Sequence, residues 1–243
     1  MIPADHPRYH SLVTREHLAE CAKKGIVSWE GLTAHGRGEA FDYLLGERTT
    51  ESALLAERTA AAMLLAARHP VISVNGNTAA LAAGGIAALQ KACGAHVEVN
   101  LFHRSEARIT MIEQLLTDAG VDVFSGEAER LLPLSHDRAW CRRGGIFSAD
   151  VVLVPLEDGD RCAALVGMGK TVIAIDLNPL SRTARAATLT IVDELTRALP
   201  HITNACLQIS DTEKDRLIHA VDNQYLLSEA LREMTVRLTH ALD

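Results

Sequence analysis

The sequence predicts an α/β protein: an open, mostly parallel sheet flanked by helices, with a helical extension at each end. Three observations carry that expectation. Apolar runs of four to six residues alternate with helical segments, as in parallel βαβ units covered on both faces. The chain has 243 residues, 48% hydrophobic and 23% charged, a globular balance with enough length for a large buried core. No internal repeat or low-complexity linker interrupts it, so residues 1–243 read as one domain.

Taken in order, residues 1–48 form a helical N-terminal segment that ends in a polar loop containing Gly36-Arg37-Gly38. The βα core is expected over 49–200. It opens with a long helix, with Glu51 in its first turn and Arg68-His69-Pro70 closing it; acid at the start, base at the end and a proline stop are helix punctuation. Strands are expected at 71–74, 97–102, 121–124, 151–154, 171–175 and 189–192. The helix 78–93 has Gly94 to cap it, and the helix 105–119 has Ser105 at its start and Gly120 at its end. Residues 125–148 show no clear period. C-terminal helices fill 201–243, where Ser210-Asp211-Thr212-Glu213 reads as a capping box.

Composition narrows the function classes. Net charge is −7, which opposes nonspecific binding of nucleic acid or an anionic membrane. No run approaches the roughly 20 apolar residues of a membrane span. The N-terminus lacks a basic start followed by an apolar run, so a cytoplasmic location is expected. The five cysteines, at 21, 93, 141, 162 and 206, form no Cys-x-x-Cys pair and read as reduced, scattered thiols.

In an open parallel sheet, ligands bind beyond the carboxyl ends of the strands, and there the polar residues concentrate. Asn75 and Asn77 follow the first strand; His103 and Arg104 follow the second; Glu157, Asp158 and Asp160 follow the fourth. Asp176-Leu177-Asn178 leads into Ser181-Arg182-Thr183 and Arg185, a capped helix start with two arginines suited to phosphate or carboxylate. Arg37 between two glycines is expected to point from a compact turn. Asp158 and Asp160 are candidates for Mg²⁺, or for capping and pairing with Arg161. Two motifs fail. Gly169-Lys170-Thr171 resembles the end of a phosphate loop, but Ala164 stands where the first glycine belongs and Thr171 opens a strand. Gly36-x-Gly38 lacks the third glycine of a dinucleotide fingerprint.

Longer motifs carry a resemblance. They are Ile2-Pro3 with His6-Pro7-Arg8-Tyr9, the run from Gly31-Leu32-Thr33 to Tyr43-Leu44, Val74-Asn75-Gly76-Asn77, Val99-Asn100-Leu101-Phe102, Val154-Pro155-Leu156-Glu157-Asp158-Gly159-Asp160-Arg161, and Asp176 to Arg185. In content and order they resemble the archaeal 4-phosphopantoate–β-alanine ligase, or phosphopantothenate synthetase, family over residues 2–200. The resemblance implies a homodimer with a Rossmann-like core. It implies an ATP-dependent, AMP-forming ligase of coenzyme A biosynthesis that condenses 4-phosphopantoate with β-alanine, with Mg²⁺. Family ATP contacts fall on Arg15, Arg37, Asp176, Leu177, Asn178, Arg182, Thr183, Glu194 and Leu195. Two positions depart from the family: Glu194 stands where Asn is usual, and Cys162 where Thr is usual.

The chemistry fits these residues. AMP release implies an acyl-adenylate, and two anionic substrates must be brought together by local cations. Asn75, Asn77, Arg104 and Arg185 are candidates for the second substrate. His35, His103 and Asp158 are candidates to take the proton of the β-alanine amine. The competing expectations are a kinase or nucleotidyltransferase acting on a small phosphorylated acid, and a noncatalytic ATP-binding regulator.

Overall fold

The computed structural model describes residues 2–6 and 8–241; Pro7 of the first motif lies outside them. Seven strands are formed by Pro70–Val74 (β1), His96–Val99 (β2), Ala128–Arg130 (β3), Trp140–Arg142 (β4), Val151–Pro155 (β5), Thr171–Ile175 (β6) and Leu189–Ile191 (β7). The helices are Tyr9–Lys23 (α1), Trp29–Leu45 (α2), Glu51–Ala66 (α3), Gly76–Cys93 (α4), Glu106–Asp118 (α5), Gly159–Gly167 (α6), Arg182–Ala186 (α7), Leu195–Gln208 (α8), Asp211–His219 (α9) and Asn223–Thr239 (α10). Five strands make one sheet in the order β2-β1-β5-β6-β7, and every adjacent pair is parallel. No described helix is long and apolar enough to cross a membrane.

Alternation along each strand builds the layers. Ile72, Val74, Leu153, Ile173 and Ile191 join one core with residues of α3, α4 and α8. Val71, Val152, Val154, Val172 and Ala174 face the other, against Cys162 and Leu165 of α6 and Ile146. A third cluster joins Leu45 of α2 to Leu177, Ala184, Val192 and Met234 of α10. It fixes α2 and α10 beside the loops that leave β6 and β7.

The expected caps form. Ser105 accepts from Arg108 N at 3.3 Å and Ser210 from Glu213 N at 3.3 Å. Gly94 takes the left-handed conformation, with φ +70°. Three expectations are corrected. The run 121–124 is not a sheet strand: Val123 makes one parallel bridge to Val97, and Phe124 N donates to Val97 O at 2.7 Å. Having only the edge strand beside it, the run ends after that contact. Residues 125–148 contain the antiparallel β3–β4 hairpin, whose strands of three residues are too short to show alternation.

The third correction concerns Gly36-Arg37-Gly38, which lie inside α2 and not in a turn. A Cβ on Gly36 would meet nothing within 4 Å, and one on Gly38 would make ordinary contact with Leu177 at 3.6 Å. Gly36→Ala is therefore expected to stabilise the protein by about 0.5–1 kcal/mol, through helix propensity alone. A shift in the denaturant midpoint at unchanged slope measures it. Lys170, from the failed phosphate-loop motif, spends its amine on Phe147 O at 2.6 Å and Ala149 O at 2.8 Å.

Candidate active site at the carboxyl edge of the sheet

The strand order reverses between β1 and β5, since β2 lies on one side of β1 and β5 on the other. Such a switch point opens a crevice outside the strand ends. Asn75 closes its floor. It caps α4 by accepting from Thr78 N at 3.0 Å and donates to Pro155 O at 3.1 Å and Leu156 O at 3.0 Å. Leu156 itself has φ +53°, a left-handed conformation that costs a leucine on the order of 1 kcal/mol. Gly76 must be glycine, because a Cβ there would lie 2.2 Å from Ile26 O.

Above this floor is a cleft of about 640 Å³, roofed by α2. The first turns of α4 and α5 supply Asn77 and Arg108 and the loop after β2 supplies His103; the β5 exit supplies Glu157 and Asp158; the β6 and β7 exits supply Asp176, Arg182 and Glu194. The N-terminal residues of α4, α6 and α8 (Gly76, Gly159 and Leu195) also line it, so three positive helix ends face the same space.

The cations divide into two groups. Arg108 and Arg138 are committed. Arg108 donates to Ile26 O at 3.1 Å and His103 O at 3.0 Å. Arg138 donates to Asn100 O at 2.7 Å and Asp158 at 3.1 Å, and lies 3.3 Å from Glu157. Arg37 and Arg182 are exposed, and neither makes a side-chain hydrogen bond or ion pair among the described residues. Arg37 is close enough to Asp176 to favour its carboxylate, although burial pushes that carboxyl up overall.

The carboxylates are mostly employed within the protein. Asp176 accepts from Asn178 N at 2.9 Å and from the Ser181 hydroxyl, which fixes the turn before α7. The Glu157 side chain is buried between Arg138 and Arg161. Burial alone would raise its carboxyl, but the two guanidinium groups hold it below the usual carboxylate range. Glu194, the departure from the family pattern, caps α8 by accepting from Thr196 N at 2.7 Å. Cys162, the other departure, is buried and points its thiol at Thr183 O, 3.6 Å away. Thr183 donates its hydroxyl to Glu157 O at 2.7 Å.

The cleft thus gathers His35, Arg37, Asn75, Asn77, His103, Asp158, Asp176, Leu177, Asn178, Arg182, Thr183, Glu194 and Leu195. Four other expected site residues do not line it. Arg15 reaches from α1 to Glu39 at 2.9 Å and to Tyr43 at 3.1 Å, buttressing α2 from behind. Arg104 pairs with Glu106 at 2.9 Å and lines a separate depression with Trp140 and Arg142. Arg185 is exposed in the last turn of α7. Asp160 turns to His136 at 2.9 Å. Asn75 and Asn77 line the cleft, but their amides are spent on backbone, Asn77 donating to Gly31 O at 2.8 Å.

Sequence reasoning missed Arg108, Arg138 and Asp193. Arg138 sits in the aperiodic stretch, where nothing distinguishes it from a solvated arginine. Asp193 was visible as a polar residue following the last strand.

Residues 52–237 match the phosphopantothenate/pantothenate synthetase family. A relative from Methanospirillum hungatei is 58% identical over 243 residues, covering 100% of both chains. One from Methanosarcina mazei is 54% identical, covering 98% of this chain and 95% of the relative. One from Thermococcus kodakarensis is 48% identical, covering 98% and 94%. All three are named 4-phosphopantoate–β-alanine ligase. Matched over most of its length and aligned end to end with such relatives, the chain belongs to the phosphopantothenate/pantothenate synthetase family.

Proposed function

We propose that this protein is a 4-phosphopantoate–β-alanine ligase that uses ATP and releases AMP and diphosphate, forming 4'-phosphopantothenate for coenzyme A biosynthesis. The observation that carries the reading, beside the relatives' names, is the pair of unpartnered arginines, Arg37 and Arg182, in a cleft faced by three helix N-termini. Exposed cations with no protein partner are available to an anion at no cost of a broken ion pair.

ATP would lie toward β6 and β7, against Arg37, Asp176-Leu177-Asn178, Arg182-Thr183 and Glu194-Leu195. In this reading Arg15 acts through Glu39 and α2 rather than on the nucleotide. 4-Phosphopantoate would lie toward β1 and β2, where Arg108 stands in the place first expected for Arg104. The two substrates then meet over the β5 exit. A carboxylate oxygen of 4-phosphopantoate attacks the α-phosphorus, and diphosphate leaves. The β-alanine amine attacks the acyl carbon, AMP leaves, and the amine proton goes to a base. Charge develops on phosphate oxygens, so positioned cations and helix ends supply most of the catalysis.

Of the three candidate bases, His35 fits best. Its Nε2 is buried and lacks a hydrogen-bond partner. Burial holds its pKa below the usual histidine value against the pull of Glu39 and Glu194, so the ring is neutral near pH 7. Asp158 is tied to Arg138, and His103 is an exposed ring 3.9 Å from Glu30. Mg²⁺ fits as an ion held chiefly by triphosphate oxygens and water, with Asp158 as the one cleft-facing carboxylate of the expected pair. When bound it would offset phosphate charge.

A cytoplasmic location is supported by the five free thiols, and a homodimer by the family resemblance. Incubation with ATP, Mg²⁺, 4-phosphopantoate and β-alanine is expected to yield AMP and diphosphate in equal amounts, each dependent on 4-phosphopantoate. Formation of ADP would exclude the adenylate route and favour a kinase; ATP binding without turnover would favour a regulator.

A further inference from the structure

Behind the β7 corner of the cleft lies a buried acid cluster that the proposed chemistry does not use. Glu57, in the middle of α3, is 0% exposed, and Asp193, at the β7 exit, is 1% exposed. A Glu57 oxygen, an Asp193 oxygen and a His201 nitrogen all lie within 4.8 Å of one another. His201 Nδ1 is 3.0 Å from Glu57 Oε2. The other oxygen, Glu57 Oε1, has no donor. Asp193 is well supplied at one oxygen and not at the other: Oδ1 accepts from Glu194 N at 2.8 Å and from two Arg197 nitrogens, whereas Oδ2 accepts from the Thr49 hydroxyl at 2.6 Å and has room for one more donor.

Two buried carboxylates in contact repel unless a proton lies between them. Among the described residues nothing donates to Oε1, so as an acceptor it is unsatisfied. A protonated Glu57 gains a donor that the facing Asp193 carboxylate can accept, while Oε2 accepts from His201 Nδ1–H.

We propose that Glu57 is a positioning residue: as a neutral carboxylic acid it donates a hydrogen bond to Asp193 and thereby fixes the β7 corner of the cleft. Asp193 is the hinge of that corner. Its carboxylate orients the backbone of Glu194, which lines the cleft, and it holds Arg197. Arg197 in turn grips Asp42 of α2, at 3.1 Å through Nη1, on the helix that carries His35 and Arg37. One proton therefore stands behind both the floor at Glu194 and the roof at α2. The kinetic part of this inference rests on the ligase reading; the proton itself does not.

The groups facing Glu57 are consistent with it. Asp193 presses from β7, and Arg197 and His201 from α8. On the other helices packed against α3, Glu213 of α9 is neutralised by Arg58 and Glu233 of α10 by Arg48, and neither is among the charges that act on Glu57. Burial and then the Asp193 charge push the Glu57 carboxyl up from 4.5 to about 9, with only Arg197 opposing. A metal ion fits the cluster less well, since Arg197 already binds one of its three ligands.

The test compares wild type with Glu57→Gln, whose amide can make both hydrogen bonds without titrating, and with Glu57→Leu, which makes neither. Near pH 7, wild type minus Glu57→Gln infrared spectra are expected to show a protonated-carboxyl C=O band that fades as pH rises through about 9. Because the folded state keeps a proton that the unfolded chain loses above 4.5, wild type should lose thermal stability relative to Glu57→Gln from about pH 4.5 to about 9. In the ligase assay Glu57→Gln should keep its KM for ATP within about twofold, whereas Glu57→Leu raises it about tenfold or more. Wild-type KM should climb above about pH 9 while that of Glu57→Gln stays level. The absence of the carboxyl band overturns the proposal by leaving Glu57 ionised. Tight binding of Mn²⁺ or Zn²⁺ that Glu57→Gln abolishes overturns it in favour of a metal site. The infrared and unfolding measurements need no substrate, so they fail or succeed independently of the ligase reading.

Discussion

Glu157→Ala is expected to destabilise the protein by about 3–5 kcal/mol, measured by denaturant unfolding. The Glu157 side chain is 1% exposed and lies between Arg138, at 6%, and Arg161, at 0%. Removing it strands two positive charges on side chains that are largely shielded from solvent. Arg161 suffers most: its Nε and Nη2 already lack partners, and after the substitution only the Ser73 hydroxyl, 3.1 Å from Nη1, remains. Glu157→Gln keeps the volume but not the charge and should lose nearly as much. Removing Arg161 together with Glu157, by leucine at both, should cost less than the single change if burial of unpaired charge is the cause. The pH dependence has a definite sign. Because the folded carboxyl is held below its ordinary 4.5, its stabilisation is complete above that pH and is lost as pH falls through the folded value. The wild type should therefore show an acid-side loss that Glu157→Gln lacks. Catalysis should fall with stability, since the Glu157 carboxylate holds Arg138 where both line the cleft at the β5 exit.

How much of this was legible in the sequence depended on whether the signal was local. Strands such as 171–175 and caps such as Ser105 and Ser210 were readable because a short apolar run or a side-chain cap is decided by neighbouring residues. The carboxyl edge was readable because parallel topology places the ends of β1, β5, β6 and β7 together. Gly36 and Gly38 misled, since two glycines around an arginine argue locally for a turn, while packing of Leu45 and its neighbours against Leu177 and Met234 keeps α2 helical through them. Arg104 and Arg108 show the limit more sharply. They lie one helical turn apart on either side of the Ser105 cap, yet only Arg108 points to the cleft; side-chain direction was decided by Ile26 O, 82 residues away. The Glu57–Asp193 contact joins positions 136 apart in sequence (193 − 57), and no pattern within α3 marks Glu57 as buried and protonated.

Alanine at Arg37 and at Arg182 is each expected to weaken ATP binding by about 1–3 kcal/mol, the range for a charge-assisted hydrogen bond, measured by calorimetric titration. Folding stability should hardly change, because both side chains are exposed and neither holds a hydrogen-bond or ion-pair partner among the described residues. That combination separates these two from Arg138, whose loss would damage fold and binding together. Lysine at either position tests what the arginine contributes: it restores charge but not the planar fork, so it should recover part of the affinity. The double variant distinguishes two geometries. If Arg37 from the roof and Arg182 from the rim grip different phosphates, their effects add; if they clamp one phosphate, the second substitution costs less than the first. Salt gives an independent check. The molecule as a whole carries −7 and repels a triphosphate at long range, while the attraction acts over a few ångströms, inside the ~8 Å screening length of physiological salt. Each exposed arginine–phosphate contact is still weakened by salt, so affinity of the wild type should fall with ionic strength more steeply than that of either alanine variant, which has one such contact fewer. Unchanged ATP binding in both alanine variants would remove the nucleotide from this cleft, and with it the adenylate route.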